Sequence, residues 1–292
     1  MLIISFFFYR KTKKQLRSID REGAGSFIDL KLYVDDMIYL TTSTSVYAID
    51  VLSSKLQMSK VLNVKGDEDT IEAIDFNTET PVIVLRHEKQ LLISVWRREF
   101  MENASLSSYQ CQKTFRALPD PVCNLVKDFD EARCQCMAIQ VRPDSLAMTL
   151  LSNNNGSFEY IGGKPYVLIM FHDLASEKCL RILRLDSNWM NQMSDSLVPF
   201  DGESCLITAK FSKHHLAVGF GSFSDKKDGA IAIWNMSELL DQDIVEDEIL
   251  QMWTVPGKNL LFHCFYIDHD NIICRRQRVV LDFVIPISFR PL

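Results

Sequence analysis

The stretch CLITAKFSKHHLAVGFGSFSDKKDGAIAIWNM, residues 205–236, carries the clearest pattern in the 292-residue sequence. Apolar and polar residues alternate in three runs, at 206–211, 216–221 and 230–235, and Gly, Ser, Asp and Lys residues separate the runs. Alternation of this kind between turn residues predicts β-strands. The stretch therefore predicts a three-stranded antiparallel meander whose third strand ends in a Trp-Asn pair.

The same order of strands and turns recurs along the chain. A more polar strand-like segment follows each of the first four units, as in YQCQKTF after the second unit and EILQMWTV after the fourth. Five such units indicate a repeat architecture. The four further units lie at residues 27–51, 70–98, 134–174 and 260–285.

A sheet of four strands that becomes more polar towards its last strand is what a propeller blade requires. Neighbouring blades bury the inner strands, whereas the outermost strand meets water. A large ring at the end of the third strand fills the gap between adjacent blades. We therefore predict an all-β fold, a single β-propeller over residues 1–292 with four-stranded antiparallel blades. About five blades are recognisable, with cores near residues 27–62, 70–115, 134–185, 205–255 and 260–289.

The fifth unit has no outer strand of its own in the sequence. The apolar stretch MLIISFFFY, residues 1–9, is one candidate, because an N-terminal strand that completes the last sheet removes an exposed edge. The alternative is that the chain is a fragment or divergent copy that begins inside a longer parent and forms an incomplete propeller. The pattern alone leaves both interpretations open.

The meander resembles a blade of the WD-repeat β-propeller family in divergent form. The match rests on FSKHHLAVGFGS, residues 211–222, followed by DGAIAIWNM, residues 228–236. Trp234 falls at the family's Trp and Asn235 at its Asp, whereas Trp96 and Asp50 each match one half of the pair in earlier units. The resemblance implies a non-enzymatic scaffold for protein–protein interactions or a substrate-presenting adaptor. One role that it implies is that of a receptor subunit of a cullin-RING ubiquitin ligase.

Charge and cysteine content restrict the partners and the compartment. With 32 basic and 38 acidic residues the formal charge is −6, which gives no bulk attraction to nucleic acid or to anionic membranes. Most of the eight cysteines lie in apolar runs, where free thiols behave as small buried hydrophobes. The N-terminal stretch lacks the charge order and cleavage site of a signal peptide. We expect a cytoplasmic protein, with the nucleus as the alternative, whose partners are proteins.

The sequence offers no established catalytic or metal-binding motif. A nucleophile elbow, a phosphate-binding glycine loop and a zinc-protease helix are all missing. Neighbouring strand residues such as His263 and Cys264 point to opposite faces, so they do not make a metal site together. We therefore predict no catalytic residue, metal or cofactor. The alternative is a propeller hydrolase or lyase, whose site would need carboxylates and histidines facing the central channel.

The loops between second and third strands are basic in a chain that is acidic overall. On a propeller these loops share one rim, and basic side chains there bind carboxylates or phosphates. The competing interpretation is that the acidic interblade loops at 66–70 and 128–132 lie on the same rim and offset the charge. The first interpretation predicts a rim that binds an acidic or phosphorylated peptide, formed by Arg86, His87, Lys89, Lys226, Lys227, Arg275, Arg276 and Arg278.

Overall fold

The protein is described by a computed structural model in which strands dominate. Nineteen strands form five antiparallel sheets in the part of the chain that the structure describes. That part comprises residues 27–32, 37–50, 58–64, 69–77, 80–99, 108–118, 131–132, 134–152, 166–186, 205–222, 229–241, 251–255, 262–268, 271–276 and 282–286.

The strands follow the chain in five consecutive groups. The first sheet contains β1 (Phe27–Leu32), β2 (Met37–Thr42), β3 (Ser45–Asp50) and β4 (Met58–Asn63). The second contains β5 (Asp69–Asn77), β6 (Thr80–His87), β7 (Gln90–Glu99) and β8 (Ser108–Arg116). The third contains β9 (Gln135–Val141), β10 (Leu146–Ser152), β11 (Tyr166–Asp173) and β12 (Lys178–Asp186). The fourth contains β13 (Cys205–Phe211), β14 (His215–Ser222), β15 (Gly229–Asn235) and β16 (Gln251–Val255), and the fifth contains β17 (Phe262–Asp268), β18 (Asn271–Arg276) and β19 (Asp282–Pro286).

The arrangement of the sheets is that of a β-propeller. Within each sheet the strands lie side by side in chain order and pair antiparallel. The first strands of neighbouring sheets contact one another, β1 with β5, β5 with β9, and β13 with β17. Consecutive sheets therefore converge on their first strands and present their later strands outward, so the predicted fold class is confirmed.

The deciding stretch folds as its pattern predicts, with small differences. Strands β13, β14 and β15 begin one residue earlier than the apolar runs, and β14 also ends one residue later. The pattern missed a short helix, α1 (Met236–Asp241), which follows β15 directly. The fifth sheet has three described strands, and the predicted closing strand at residues 1–9 lies outside the described residues.

Three apolar clusters of the described core each lie between two consecutive sheets. One joins the first and second sheets, one the second and third, and one the third and fourth. A sheet with neighbours on both faces needs apolar side chains on both sides of its middle strands. Every residue of β10 is accordingly buried.

The two tryptophans of the repeat lie in these clusters. Trp234 is 1% exposed and packs against the third sheet, and Trp96 is 7% exposed and packs against the first. Trp234 pairs with Leu216, the second residue of β14. We call this place on the third strand the Trp position. In the first and third sheets it holds Ile49 and His172.

The residue after the Trp position ends the third strand in several sheets. Asp50 takes this place in the first sheet, opposite Met37. In the fourth sheet Asn235 Oδ1 accepts hydrogen bonds from the Ser237 amide at 3.0 Å and the Ser237 hydroxyl at 2.7 Å. Asn235 thereby caps α1, because its side chain satisfies an amide that has no partner within the helix.

Candidate functional site

The connections between strands define two opposite ends of each sheet. Loops from second to third strands lie at one end, which we call the basic face. Turns from first to second strands and from third to fourth strands lie at the other end, which we call the groove face. This division follows from the antiparallel chain order of the strands.

The predicted basic rim is described only in part. Arg86 and His87 end β6 and Lys89 lies in the following turn, so they occupy the basic face of the second sheet. Arg275 and Arg276 end β18 at the equivalent place of the fifth sheet, although their side chains are not described. The convergence of the eight basic side chains stays a prediction, because three of them lie outside the described residues, namely Lys226, Lys227 and Arg278.

Arg86 is held by partners within the protein. Its Nε donates to Glu72 on the neighbouring strand, and its two Nη groups donate to the carbonyl oxygens of Glu131, at 3.1 Å, and of Cys134. Burial lowers the pKa of Arg86, but the hydrogen bond and charge of Glu72 outweigh it and raise the pKa overall. The guanidinium therefore joins the second sheet to the chain that enters the third.

Acidic residues also bind His87 and Arg116 at this end. His87 Nδ1 lies 2.5 Å from the Asp69 carboxylate. Glu131 accepts from the Leu91 amide at 2.7 Å and binds Arg116 at 3.0 Å. Asp69 and Glu131 belong to the two acidic interblade loops, so in this part of the chain the acidic residues do offset the basic ones.

Polar side chains on the first strands bind the backbone of the next sheet. Glu72 Oε2 accepts the Cys136 amide at 2.6 Å, and Asp75 Oδ2 accepts the Val141 amide at 2.7 Å. Gln140 on β9 repeats the pattern towards β13, where it accepts the Phe211 amide at 3.2 Å and donates to its carbonyl at 3.1 Å. These carboxylates and this amide therefore serve to connect sheets.

The buried thiols of Cys134 and Cys136 are poor nucleophiles and poor metal ligands. Burial raises the pKa of Cys134 to about 12 and also raises that of Cys136. Thiolate is the reactive form of cysteine, so both side chains remain protonated and inert near neutral pH. No group of three or more His, Cys, Asp or Glu side chains with metal-binding geometry occurs within the described ranges.

Two grooves open on the groove face, on either side of the β9–β10 turn. The groove between the second and third sheets has a volume of about 390 Å³. The groove between the third and fourth sheets, which we call the 3–4 groove, has a volume of about 340 Å³. The 3–4 groove is lined by Arg142, Asp144, Leu146, Asp173, Leu180, Lys213, Met236, Ser237 and Leu240.

A β-bulge places an apolar side chain in the 3–4 groove. Phe171 pairs with Arg181 and His172 with Cys179, so Leu180 lies between two ladder positions without a partner of its own. Such bulges redirect a side chain. Leu180 is 45% exposed as a result and lines the groove. Sequence reasoning missed this site because nothing within KCLRILRL marks the bulge, which depends on pairing with β11.

Comparison with known proteins gives a structural likeness without a sequence match. No sequence-family profile matches the chain, and neither does any curated protein sequence. Among solved structures, Kluyveromyces lactis Hsv2 with its complete loop 6CD is 11% identical with a TM-score of 0.49, over 90% of this chain and 68% of the other. A second structure of Kluyveromyces lactis Hsv2 is 13% identical with a TM-score of 0.44, over 90% of this chain and 67% of that one.

A crystal structure of the eukaryotic initiation factor is 12% identical to the chain with a TM-score of 0.42. The match covers 84% of this chain and 46% of the initiation-factor chain, so this chain spans about half of the length of that one. Likenesses at this distance carry no argument about activity or partners. No helix in the described segments is long and apolar enough to cross a membrane.

Proposed function

We propose that this propeller is a non-enzymatic scaffold that binds other proteins through its rims. One observation carries the proposal: three polar side chains on β5 and β9 are used to hold consecutive sheets together. Both oxygens of Glu72 are occupied, and Asp75 and Gln140 bind the backbone of the next sheet. A channel enzyme would need such groups available to a substrate.

The rims of the sheets offer binding surface instead. The β9–β10 turn at the groove face leads into β10, every residue of which is buried, so this turn is presented on a rigid frame. Binding residues lie disproportionately on loops that a rigid scaffold positions. The two grooves flanking the β9–β10 turn provide the concave surface that a peptide segment of a partner requires.

The narrower roles rest on the sequence alone. The family resemblance supports an adaptor role, including a receptor subunit of a cullin-RING ligase, in the cytoplasm or the nucleus. The basic face supports a partner with acidic or phosphorylated segments. Co-purification of a cullin with the tagged protein tests the first role, and phosphatase treatment of the captured partners tests the second.

Affinity purification with quantitative mass spectrometry tests the scaffold proposal. The wild-type chain is expected to retain at least one partner at near-stoichiometric amount. Failure to retain any partner reproducibly would overturn the proposal.

A charge-reversed basic face tests the rim within the same experiment. The variant carries Arg275→Glu and Arg278→Glu, and the matched control carries Arg97→Glu and Arg98→Glu on exposed positions of β7. Loss of a partner with the first variant alone supports the basic rim. Equal retention by both variants shows that these loop residues are ordinary solvated turn residues.

A further inference from the structure

We propose that the 3–4 groove binds a peptide segment in which a large apolar residue lies next to basic residues. The inference rests on the proposed scaffold function and names the chemistry of one partner segment. It assigns to the groove face a site separate from the basic face. The argument uses the apolar floor of the groove, the charge at its mouth and a comparison with the neighbouring groove.

The floor of the 3–4 groove presents apolar surface to water. Only two large apolar side chains in the described part of the chain are exposed, Leu180 at 45% and Met137 at 42%. Leu180 meets Leu146, Met236 and the half-buried Leu240 in the groove. The volume of the 3–4 groove, about 340 Å³, falls in the range of about 300–1,000 Å³ that is typical of ligand pockets. The floor thus accommodates an apolar side chain of a partner.

The mouth of the groove carries more negative than positive charge. The lining itself is balanced, with Asp144 and Asp173 against Arg142 and Lys213. Helix α1 then adds Glu238 and Asp241, and its residues MSELLD include no basic side chain. Lys178 adds one cation, because it lies opposite Asp173 on the neighbouring strand and the adjacent Glu177 lies 3.4 Å from Lys113 of the neighbouring groove. Four carboxylates and three cations therefore lie on this groove or directly beside the residues that line it.

One of these three cations, Arg142, is held by partners within the protein. The Arg142 guanidinium binds Asp144 and donates to the Ser212 carbonyl at 3.0 Å, and its side chain is 14% exposed whereas that of Asp144 is 54% exposed. Asp173 stays ionised, because hydrogen bonds from the Ser176 hydroxyl and the Ala175 amide lower its pKa. The accessible charge consequently favours Lys or Arg residues beside the apolar anchor.

The neighbouring groove lacks this combination. Its lining includes Lys113, whose ammonium group donates to the carbonyl oxygens of Leu174 and Ala175 and lies 3.4 Å from Glu177. Leu174 is buried, and no exposed large apolar side chain lines this groove. Of these two described grooves, the 3–4 groove is the one that joins an exposed apolar floor to an excess of carboxylates.

Selection from a random phage-displayed peptide library against the full chain tests the proposal. The selected peptides are expected to share a large apolar residue flanked by Lys or Arg. Leu180→Asp should weaken their binding at least tenfold, because it places a carboxylate where the apolar side chain packs. Met137→Asp is the matched control, since it makes the same kind of change at similar exposure on β9 and should leave binding unchanged.

Charge reversal on α1 provides the second arm. Glu238→Lys with Asp241→Lys should weaken binding of the same peptides several-fold. Glu88→Lys with Glu99→Lys alters the net charge equally on the second sheet and should have no such effect. Binding should also weaken as salt rises, because exposed charge pairs are screened. Circular dichroism of each variant confirms that the fold is retained.

The outcomes separate this inference from the scaffold proposal. Selected peptides that are acidic, peptides that bind Leu180→Asp as tightly as the wild type, or a selection that yields no binder would each overturn the groove assignment. The scaffold proposal survives all three results if the wild-type chain still retains a partner in affinity purification. If no partner is retained, the scaffold proposal fails even where a library peptide binds the groove.

Discussion

The third and fourth sheets pack against the preceding sheet with different side chains at the Trp position. In the fourth sheet the Trp position holds Trp234, which fills the space against the third sheet with an apolar ring. In the third sheet it holds His172, whose Nε2 lies 3.2 Å from the Thr149 hydroxyl oxygen and whose ring lies 6.4 Å from that of Phe115 in the second sheet. Both side chains face the preceding sheet.

The difference shows that the spacing of the sheets does not require a particular residue at this place. It requires a side chain that fills the gap between the sheets. Trp234 fills the gap mainly by burying a large apolar surface. His172 instead depends on remaining neutral, because burial lowers its pKa to about 3. The two interfaces should therefore respond differently to mutation and to pH.

Removal of the larger ring should have the largest effect. Trp234→Ala is expected to lower the free energy of unfolding by about 3–5 kcal/mol, as large core truncations do. His172→Ala should cost less, because it removes a smaller ring. Chemical denaturation of the two variants measures the difference. Unchanged stability of Trp234→Ala would show that this interface does not depend on the ring.

Acid should destabilise the interface that contains His172. The folded-state pKa of about 3 lies below the ordinary value of 6.5, so between these pH values the unfolded chain binds a proton that the folded chain does not. The contribution of neutral His172 to the free energy of unfolding is present above pH ~6.5. It is lost as pH falls, at up to about 1.4 kcal/mol per pH unit. His172→Gln, which cannot titrate, should show a shallower loss. Parallel pH curves for the two proteins would contradict this account.

Loss of the hydroxyl partner of His172 should have a smaller effect. Thr149→Val keeps the shape of the side chain but leaves Nε2 of His172 without this partner, which should cost about 1–3 kcal/mol. Thr149→Ser retains the hydroxyl and is the control. Thermal unfolding of both variants tests the contact, and equal melting temperatures would show that it contributes nothing.

The cap that follows the Trp position should contribute least. Asn235→Ala removes the acceptor for the Ser237 amide and should cost about 1 kcal/mol, whereas Asn235→Asp preserves it. The effect should appear as fraying of α1, measured by amide hydrogen exchange of Ser237. Equal exchange in the Ala and Asp variants would show that the cap is dispensable.

Much of the fold was predictable because its signals are local. Alternation and turn residues located β13 to β15 to within a residue, and the Trp-Asn pair identified the end of the third strand. Helix α1 also had a local signal that the strand pattern obscured. Asn235 followed by Glu238 three positions later is a helix-start signature, and Asn235 Nδ2 indeed donates to Glu238 at 3.2 Å.

The candidate site was not predictable in the same way. The groove requires residues from β10, β12 and α1 to meet across two sheets, and Leu180 reaches it only through a bulge set by β11. The bond from Arg86 to the Cys134 carbonyl likewise spans 48 positions. Contacts between distant segments leave no trace in alternation or turn chemistry. The sequence suggested that the acidic interblade loops offset the basic loops, but it did not pair Asp69 with His87, and nothing in it indicated that Glu72 binds Arg86.

The bonds from the first strands have a consequence for how such a chain tolerates change. Glu72, Asp75 and Gln140 bind amide or carbonyl groups of the next sheet, and those groups are present whatever side chain the partner residue carries. Only proline would remove the amide. A mutation on the strand that supplies these backbone groups therefore leaves the contact between the two sheets intact. Each repeat unit can thus accumulate substitutions that need no compensating substitution in the neighbouring unit.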